Sequence, residues 1–198
     1  RHNGIHRFFL AKGSHVLYQE KHIATGTGSG AKRIDPVTDI YLDDDASLEM
    51  DTVQLGGVTS TLRKTTATLG ARAKLLVRER IMTDGEETAR TDFDVTMQGD
   101  DSGVDLISRS VARGRSCQEF YSNIHGRCRC TGHSECDAIL AEEGRVIATP
   151  SLEAAHVDAA LIHEAAIGKI AGEQLLKLRT LGLTSEEAEE KIISGFLK

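Results

Sequence analysis

From the first residues to about position 155, apolar and polar side chains alternate one by one in short runs. HRFFLAKGSHVLYQE alternates around a Gly turn, and ASLEMDTVQLGG, TSTLRKTTATLG, ARAKLLVRERIMTDG and ARTDFDVTMQGDDSG repeat the pattern. Each run is rich in Thr and Val and stops at Gly, Asp or Asn, which is the signature of a half-buried strand. From about Gly168 the period changes. GKIAGEQLLKLRTLG places Ile170, Gln174, Leu175 and Leu178 near one helical face, with Gly182 positioned for a C-cap. TSEEAEEKIISGFLK opens with Thr184 and Glu187 in capping-box spacing, followed by an apolar stripe of Ala188, Ile192, Ile193 and Phe196. The pattern predicts a strand-rich body with two short helices as a tail.

Composition narrows the choice of strand fold. Aromatic residues make up 4% of the chain and Trp is absent, whereas a sandwich fills the gap between its sheets with large rings. The apolar positions are Val, Ile, Leu, Ala and Thr, which suit the narrow, stacked core of a solenoid. TLGARAKL, QGDDSGVDLI and VARGRSCQEF read as rungs, each with a Gly or Asp corner followed by inward small and aliphatic residues. A parallel β-helix is therefore expected ahead of a sandwich. The 198 residues suffice for one domain with a small appendage, and a net charge of -6 offers no surface for tracking phosphates, so no nucleic-acid partner is expected. No apolar run is long enough for a bilayer and no signal-peptide pattern is present, so no membrane association is expected. The chain starts at Arg1, without Met and inside a strand pattern, and reads as a fragment.

Candidate chemistry is concentrated late in the chain. Cys117, Cys128, Cys130 and Cys136 fall in one short region, unlike the dispersed cysteines of a secreted disulfide scaffold. This fits a reducing compartment, with buried packing thiols as the plain alternative. His125, Cys128, Cys130, His133 and Cys136 could supply a tetrahedral zinc set, but the tight Cys-x-x-Cys turn of a zinc knuckle is missing. ATGTGSGAK lacks phosphate-loop spacing and is expected to be a loop. The acidic run Asp43 to Asp45 is expected to be a solvated corner. Cys136 lies between polar residues, not in an apolar run, and a thiolate is the form that binds the iron of a cluster. His163 and Glu164 are neighbours, so on a strand they face opposite sides, and one site would draw on two chains. A packed core histidine and a helix N-terminal acid remain open for these two residues.

The stretch from Ser134 to Phe196 resembles the C-terminal part of the SufB/SufD family, scaffold components of the SUF iron–sulfur cluster assembly system. Cys-Asp-x-x-Leu, Pro-x-Leu-Glu, His-Glu-Ala, Gly-Lys-Ile, Glu-Gln-Leu and the final Gly-Phe all occur in family order. Upstream, SRSVARGRSCQEFYSNI is similar to the family's strand pair before the site. The resemblance implies a mainly β fold: a right-handed parallel β-helix core, here residues 1–163, with a small C-terminal α-helical subdomain, here 164–198. It implies a non-enzymatic cytoplasmic scaffold that dimerises through the β-helix, with itself or a paralogue, and passes clusters to acceptor proteins. Cys136, His163 and Glu164 match the family's ligands for a transient cluster, with Cys117, Cys128 and Cys130 as secondary thiols. The helices, through Gln174, Leu178, Glu187, Ile192 and Phe196, would bind a SufC-type ABC ATPase, while this chain binds no nucleotide. One departure stands out: in RKTTATLG, Ala67 or a threonine occupies the place of the SufB cysteine that receives sulfur. That departure keeps an adaptor without a cluster as the alternative function. No acidic constellation supports a carbohydrate-active β-helix enzyme.

Overall fold

The computed structural model describes residues 3–22 and 30–198. The loop expected over ATGTGSGAK lies for the most part outside the described residues. The chain winds into a parallel β-solenoid of about six turns, each turn giving one strand to each of two sheets. The first sheet contains β1 (Ile5–Leu10), β4 (Val37–Leu42), β6 (Ser60–Leu69), β8 (Thr88–Met97), β10 (Cys117–Gly126) and β12 (Arg145–Ala154), in that order. The two-residue β3 (Arg33–Ile34) also pairs with β6. The second sheet runs β2 (His15–His22), β5 (Ser47–Leu55), β7 (Lys74–Thr83), β9 (Ser102–Ala112), β11 (Cys130–Leu140) and β13 (Ala159–Lys169). A sandwich, the competing expectation, is thereby excluded.

Period-two alternation explains the winding. Every second side chain points inward, and the coil brings register partners directly over one another. Ile40, Ala67, Val95 and Ile124 form one such column, and Met50, Val77 and Leu106 form another on the facing sheet. All are buried. Fully burying a large aliphatic side chain contributes about 1.5–3 kcal/mol, so each coil is stabilised chiefly by the neighbours above and below it. The two sheets lie close enough that Phe8 on β1 meets Tyr18 on β2 across the interior, with ring centroids 5.0 Å apart. The low aromatic content thus matches the space available.

The corners are equally regular. Asp45, Arg72 and Asp101 occupy the left-handed region, with φ of 61°, 58° and 62°. Their amides hydrogen-bond from coil to coil: Asp45 N–H to Ala71 O, Arg72 N–H to Asp100 O, and Asp101 N–H to Arg129 O. Arg72 and Arg129 each grip the carboxylate of the preceding coil, Asp45 and Asp101. The acidic run at Asp43 to Asp45 is therefore a corner, as its composition suggested. Backbones approach so closely here that a Cβ on Gly99 would lie 2.0 Å from the amide nitrogen of Ala71. Gly99→Ala is expected to lower the unfolding free energy by at least about 3 kcal/mol. Gly168→Ala, where a Cβ meets nothing within 4 Å, should cost under about 0.5 kcal/mol in the same urea titration.

The stack ends later than residue 163. β13 continues to Lys169 because its backbone stays in register with β11 as far as Leu140. Its small residues obscure the alternation in the sequence. Two helices follow, α1 (Gly172–Thr180) and α2 (Ser185–Phe196). Gly182, with φ of 97°, lies just past the C-cap Leu181, and its N–H reaches Arg179 O. Thr184 and Glu187 form the expected capping box, and Ala188 and Ile193 are the buried residues of α2. Neither helix is long and apolar enough to cross a membrane.

Candidate functional site

Alternation also sorts the chemistry of β11. Cys130, Gly132, Ser134, Cys136 and Ala138 face inward, whereas Thr131, His133, Glu135 and Asp137 face out. Cys136 is 1% exposed, so its polar neighbours in the sequence stand on the other side of the sheet. The sequence had placed it in polar surroundings; the strand places it in the core cluster. Its register partners are Ser108 on β9 and Ala165 on β13. Burial, and then the charges of Glu79 and Asp137, push its thiol up to about 12. Cys136 is therefore a protonated thiol at neutral pH, with anionic groups near it where cationic ones would be needed to favour a thiolate.

His163 and Glu164 lie on β13, not on a helix, and face opposite sides of the sheet as their adjacency required. His163 is the register partner of Ser134, so it shares the inner face with Cys136 one strand away. Its Nδ1 is buried without a hydrogen-bond partner. Ala165, Ile167 and, on β12, Leu152 also point inward, yet all three are exposed because no further coil covers them. Glu164 stands outside, 69% exposed, and is the register partner of Glu135. The structure thus puts Cys136 and His163 on the same inner face of adjacent strands, two positions out of register, and leaves Glu164 across the sheet. Among the described residues, no group of three or more His, Cys, Asp or Glu side chains is placed to hold a metal ion.

The remaining thiols are free as well. Cys128 and Cys130 are buried side by side in the core, and the Cys128 thiol donates to Gly99 O at 3.0 Å. Burial, and then the neighbouring Cys128, raise the Cys130 thiol above its ordinary value. Cys117, at the start of β10, is half-buried on the outer face. The zinc alternative fails on orientation. His125 points out of the first sheet toward Glu153, 2.6 Å away, and His133 points out of the second, while Cys128, Cys130 and Cys136 point inward. Ala67, where the resemblance led one to look for a thiol, is buried between Ile40 and Val95 in a purely aliphatic column.

An internal charge network was missed by the sequence reading. Arg63 on β6 is buried, with Nη1 2.8 Å from Glu20 Oε2 and Nε 3.6 Å from Glu79 Oε2. Glu79 also accepts hydrogen bonds from Thr91 Oγ1 at 2.9 Å and Ser108 Oγ at 3.2 Å. Burial raises its carboxyl above the ordinary value, against the pull of Arg63 and the two hydroxyls. Burial would also raise Glu20, but Arg63, with His22 and His6, outweighs it and holds that carboxyl below its ordinary value. Glu79, Ser108 and Cys136 are successive register partners, so the network ends beneath the thiol. The clue lay in parity: in KLLVRERI, Glu79 occupies the same phase as Leu75, Val77 and Ile81.

On the tail, Gln174, Ile192 and Phe196 turn toward the coil stack. They line a cleft of about 540 Å³ together with Asp137, Ile139 and Ala166. Glu187 is committed to the capping box, accepting the Thr184 N–H at 2.7 Å, and Leu178 is half-buried. The exposed apolar side chains of this tail are Leu176 and Leu181, which the sequence reading did not single out.

A sequence profile for the SUF system FeS cluster assembly, SufBD core domain, matches residues 1–196. An iron–sulfur cluster assembly SufBD family protein of Methanothermobacter thermautotrophicus is 31% identical over 204 residues, covering 99% of this chain and 48% of its own length. A protein of the same description from Archaeoglobus fulgidus is 28% identical over 198 residues, covering 100% of this chain and 53% of its own length. The chain thus spans about half the length of these curated relatives.

Proposed function

The chain belongs to the SufBD family of iron–sulfur cluster assembly proteins, and from that premise we propose that it is a scaffold on which a cluster is held and handed on. The cluster is cargo, bound in transit. The observation that carries this reading is that His163, whose Nδ1 is buried without a partner, stands on the inner face of the last strand, two residues along from Ala165, the register partner of Cys136. A second copy, or a paralogue, would cover that end. Inward-facing apolar side chains left exposed on the last coil, Leu152 and Ile167, support such a dimer. Because Glu164 lies across the sheet, a site using all three groups draws on more than one chain.

In this reading Cys136 waits as a thiol and its proton must leave when iron binds. A partner of the SufC type, an ABC ATPase docked on α1 and α2, would open the last coil. Its nucleotide stays on the partner, and the chain itself contributes ligands, not catalysis. The reading further places the protein in the cytoplasm, where acceptor proteins take up the cluster. Cys117, Cys128 and Cys130 stand as secondary thiols. Leu176 and Leu181 support the helical tail as a docking face. Of the residues first assigned there, Leu178 and the cleft-lining Gln174, Ile192 and Phe196 set the helix positions, and Glu187 fixes the start of α2.

The burial of Cys136 and its high thiol pKa favour a second reading, an adaptor that recruits the ATPase and holds no cluster. Anaerobic reconstitution with ferrous iron and sulfide separates the two. The scaffold gives visible charge-transfer absorption and bound sulfide in the wild type, and Cys136→Ser loses most of both. Absence of a chromophore from the wild type would leave the adaptor.

A further inference from the structure

Outside the solenoid, charges are neutralised from coil to coil. Arg7 pairs with Asp39, Arg72 with Asp45, Arg78 with Glu49, Arg80 with Asp51 and Arg129 with Asp101. The rule fails at the end of the second sheet. There Glu135 and Glu164 are direct register partners, and like charges facing each other across strands are destabilising. Asp105 and Asp137 lie on the same face, with Arg109 as the register partner of Asp137.

His133 stands within this cluster. Its Nδ1 is 2.8 Å from Asp105 Oδ1, and its Nε2 is 3.8 Å from Glu164 Oε2. An ionised carboxylate can only accept, so Nδ1 carries the proton given to Asp105. Nε2 is left facing Glu164 across a gap too long for a hydrogen bond. The gap does admit an ion lying about 2.0–2.2 Å from a nitrogen on one side and an oxygen on the other. A ligating histidine that donates its other N–H to a carboxylate is the usual way in which a metal-binding imidazole is oriented.

We propose that His133 Nε2 and the Glu164 carboxylate bind one hydrated divalent transition-metal ion on the outer face of the sheet. Asp105 is the positioning residue that fixes the imidazole, Glu135 supplies neighbouring negative charge, and water completes the coordination. Two protein ligands hold such an ion weakly, as befits an ion in transit. That the ion is ferrous iron rests on the cluster-scaffold reading; that an ion binds does not. Iron would then be received on the outside of the strand that carries His163 on its inside.

Cobalt(II) titration of the whole chain under anaerobic conditions, followed by calorimetry, tests this. One ion per chain is expected. His133→Asn and Glu164→Gln should each weaken binding at least about 10-fold. Asp105→Ala should weaken it about 10–100-fold, and Asp105→Asn, still an acceptor for the Nδ1 N–H, should recover part of the loss. A purely structural role for Asp105 predicts no such recovery. Wild-type affinity in both His133→Asn and Glu164→Gln, or no binding by the wild type, overturns the site. Cobalt binding without cluster reconstitution sinks the scaffold reading alone, and reconstitution without cobalt binding sinks this site alone.

Discussion

Arg63→Met is expected to lower the unfolding free energy by about 3–5 kcal/mol at pH 7, the effect of removing one partner from a buried ion network. The guanidinium is the group that faces both Glu20 and Glu79 inside the coil stack. Methionine fills much of the volume but leaves two carboxylates in a low-dielectric interior. The deficit depends on pH, and the sign follows from the two carboxyls. Glu79 has a raised pKa, so its contribution is fully present below its ordinary value of 4.5 and is lost as pH rises through the folded value. Glu20 has a lowered pKa, so its contribution is present above 4.5 and is lost as pH falls through the folded value. Without Arg63, burial governs Glu20 too, and both carboxyls favour protonation. The deficit of the variant should therefore shrink between pH 7 and pH 5, measured by urea unfolding at each. A loss under 1 kcal/mol at pH 7 would show that the charges are solvated, against the burial of Arg63 and Glu79.

The second large effect concerns thiol reactivity. A thiol raised from 9.0 to about 12 carries about 1,000-fold less thiolate at pH 8, and thiolate is the nucleophile. Iodoacetamide should therefore modify Cys136 in the native protein at least about 1,000-fold more slowly than in the denatured chain. Glu79→Gln removes a nearby negative charge and should speed the native reaction. Peptide mass spectrometry follows each cysteine separately. Modification of Cys136 as fast as the half-buried Cys117 would mean that the last coil opens freely without a partner.

Much of the fold was legible because period-two alternation is a local property. The runs ending at Gly57, Gly70, Gly85 and Gly103 overlap β5, β6, β7 and β8, and low aromatic content pointed to a narrow core. The spacing of coils, 32 residues for the first step and 27 to 29 after it, was not legible. It is carried by parity and by corners, where Arg72 takes the same backbone conformation as Asp45 and Asp101 despite an unlike side chain. The capping box at Thr184 and Glu187 could be read because it needs only residues three apart.

The site was less legible for the same reason. Its residues were found as types, but HSECD looked uniformly polar when alternate members face different environments. Applying parity to that stretch separates buried Ser134 and Cys136 from outward His133, Glu135 and Asp137. Parity alone could also have flagged Glu79 as an inward acid. It could not have supplied Arg63 as the counter-ion, since that contact joins strands distant in sequence. Nor could it show that Gln174, Ile192 and Phe196 turn toward the coils, which depends on how the tail folds back.

The strand bearing His163 and Glu164 is a partition one residue thick. Because consecutive side chains project into separate compartments, adjacent codons can drift almost independently. A substitution that retunes the outer flank need not disturb the inner one, and each can acquire new specificity while its neighbour is held constant.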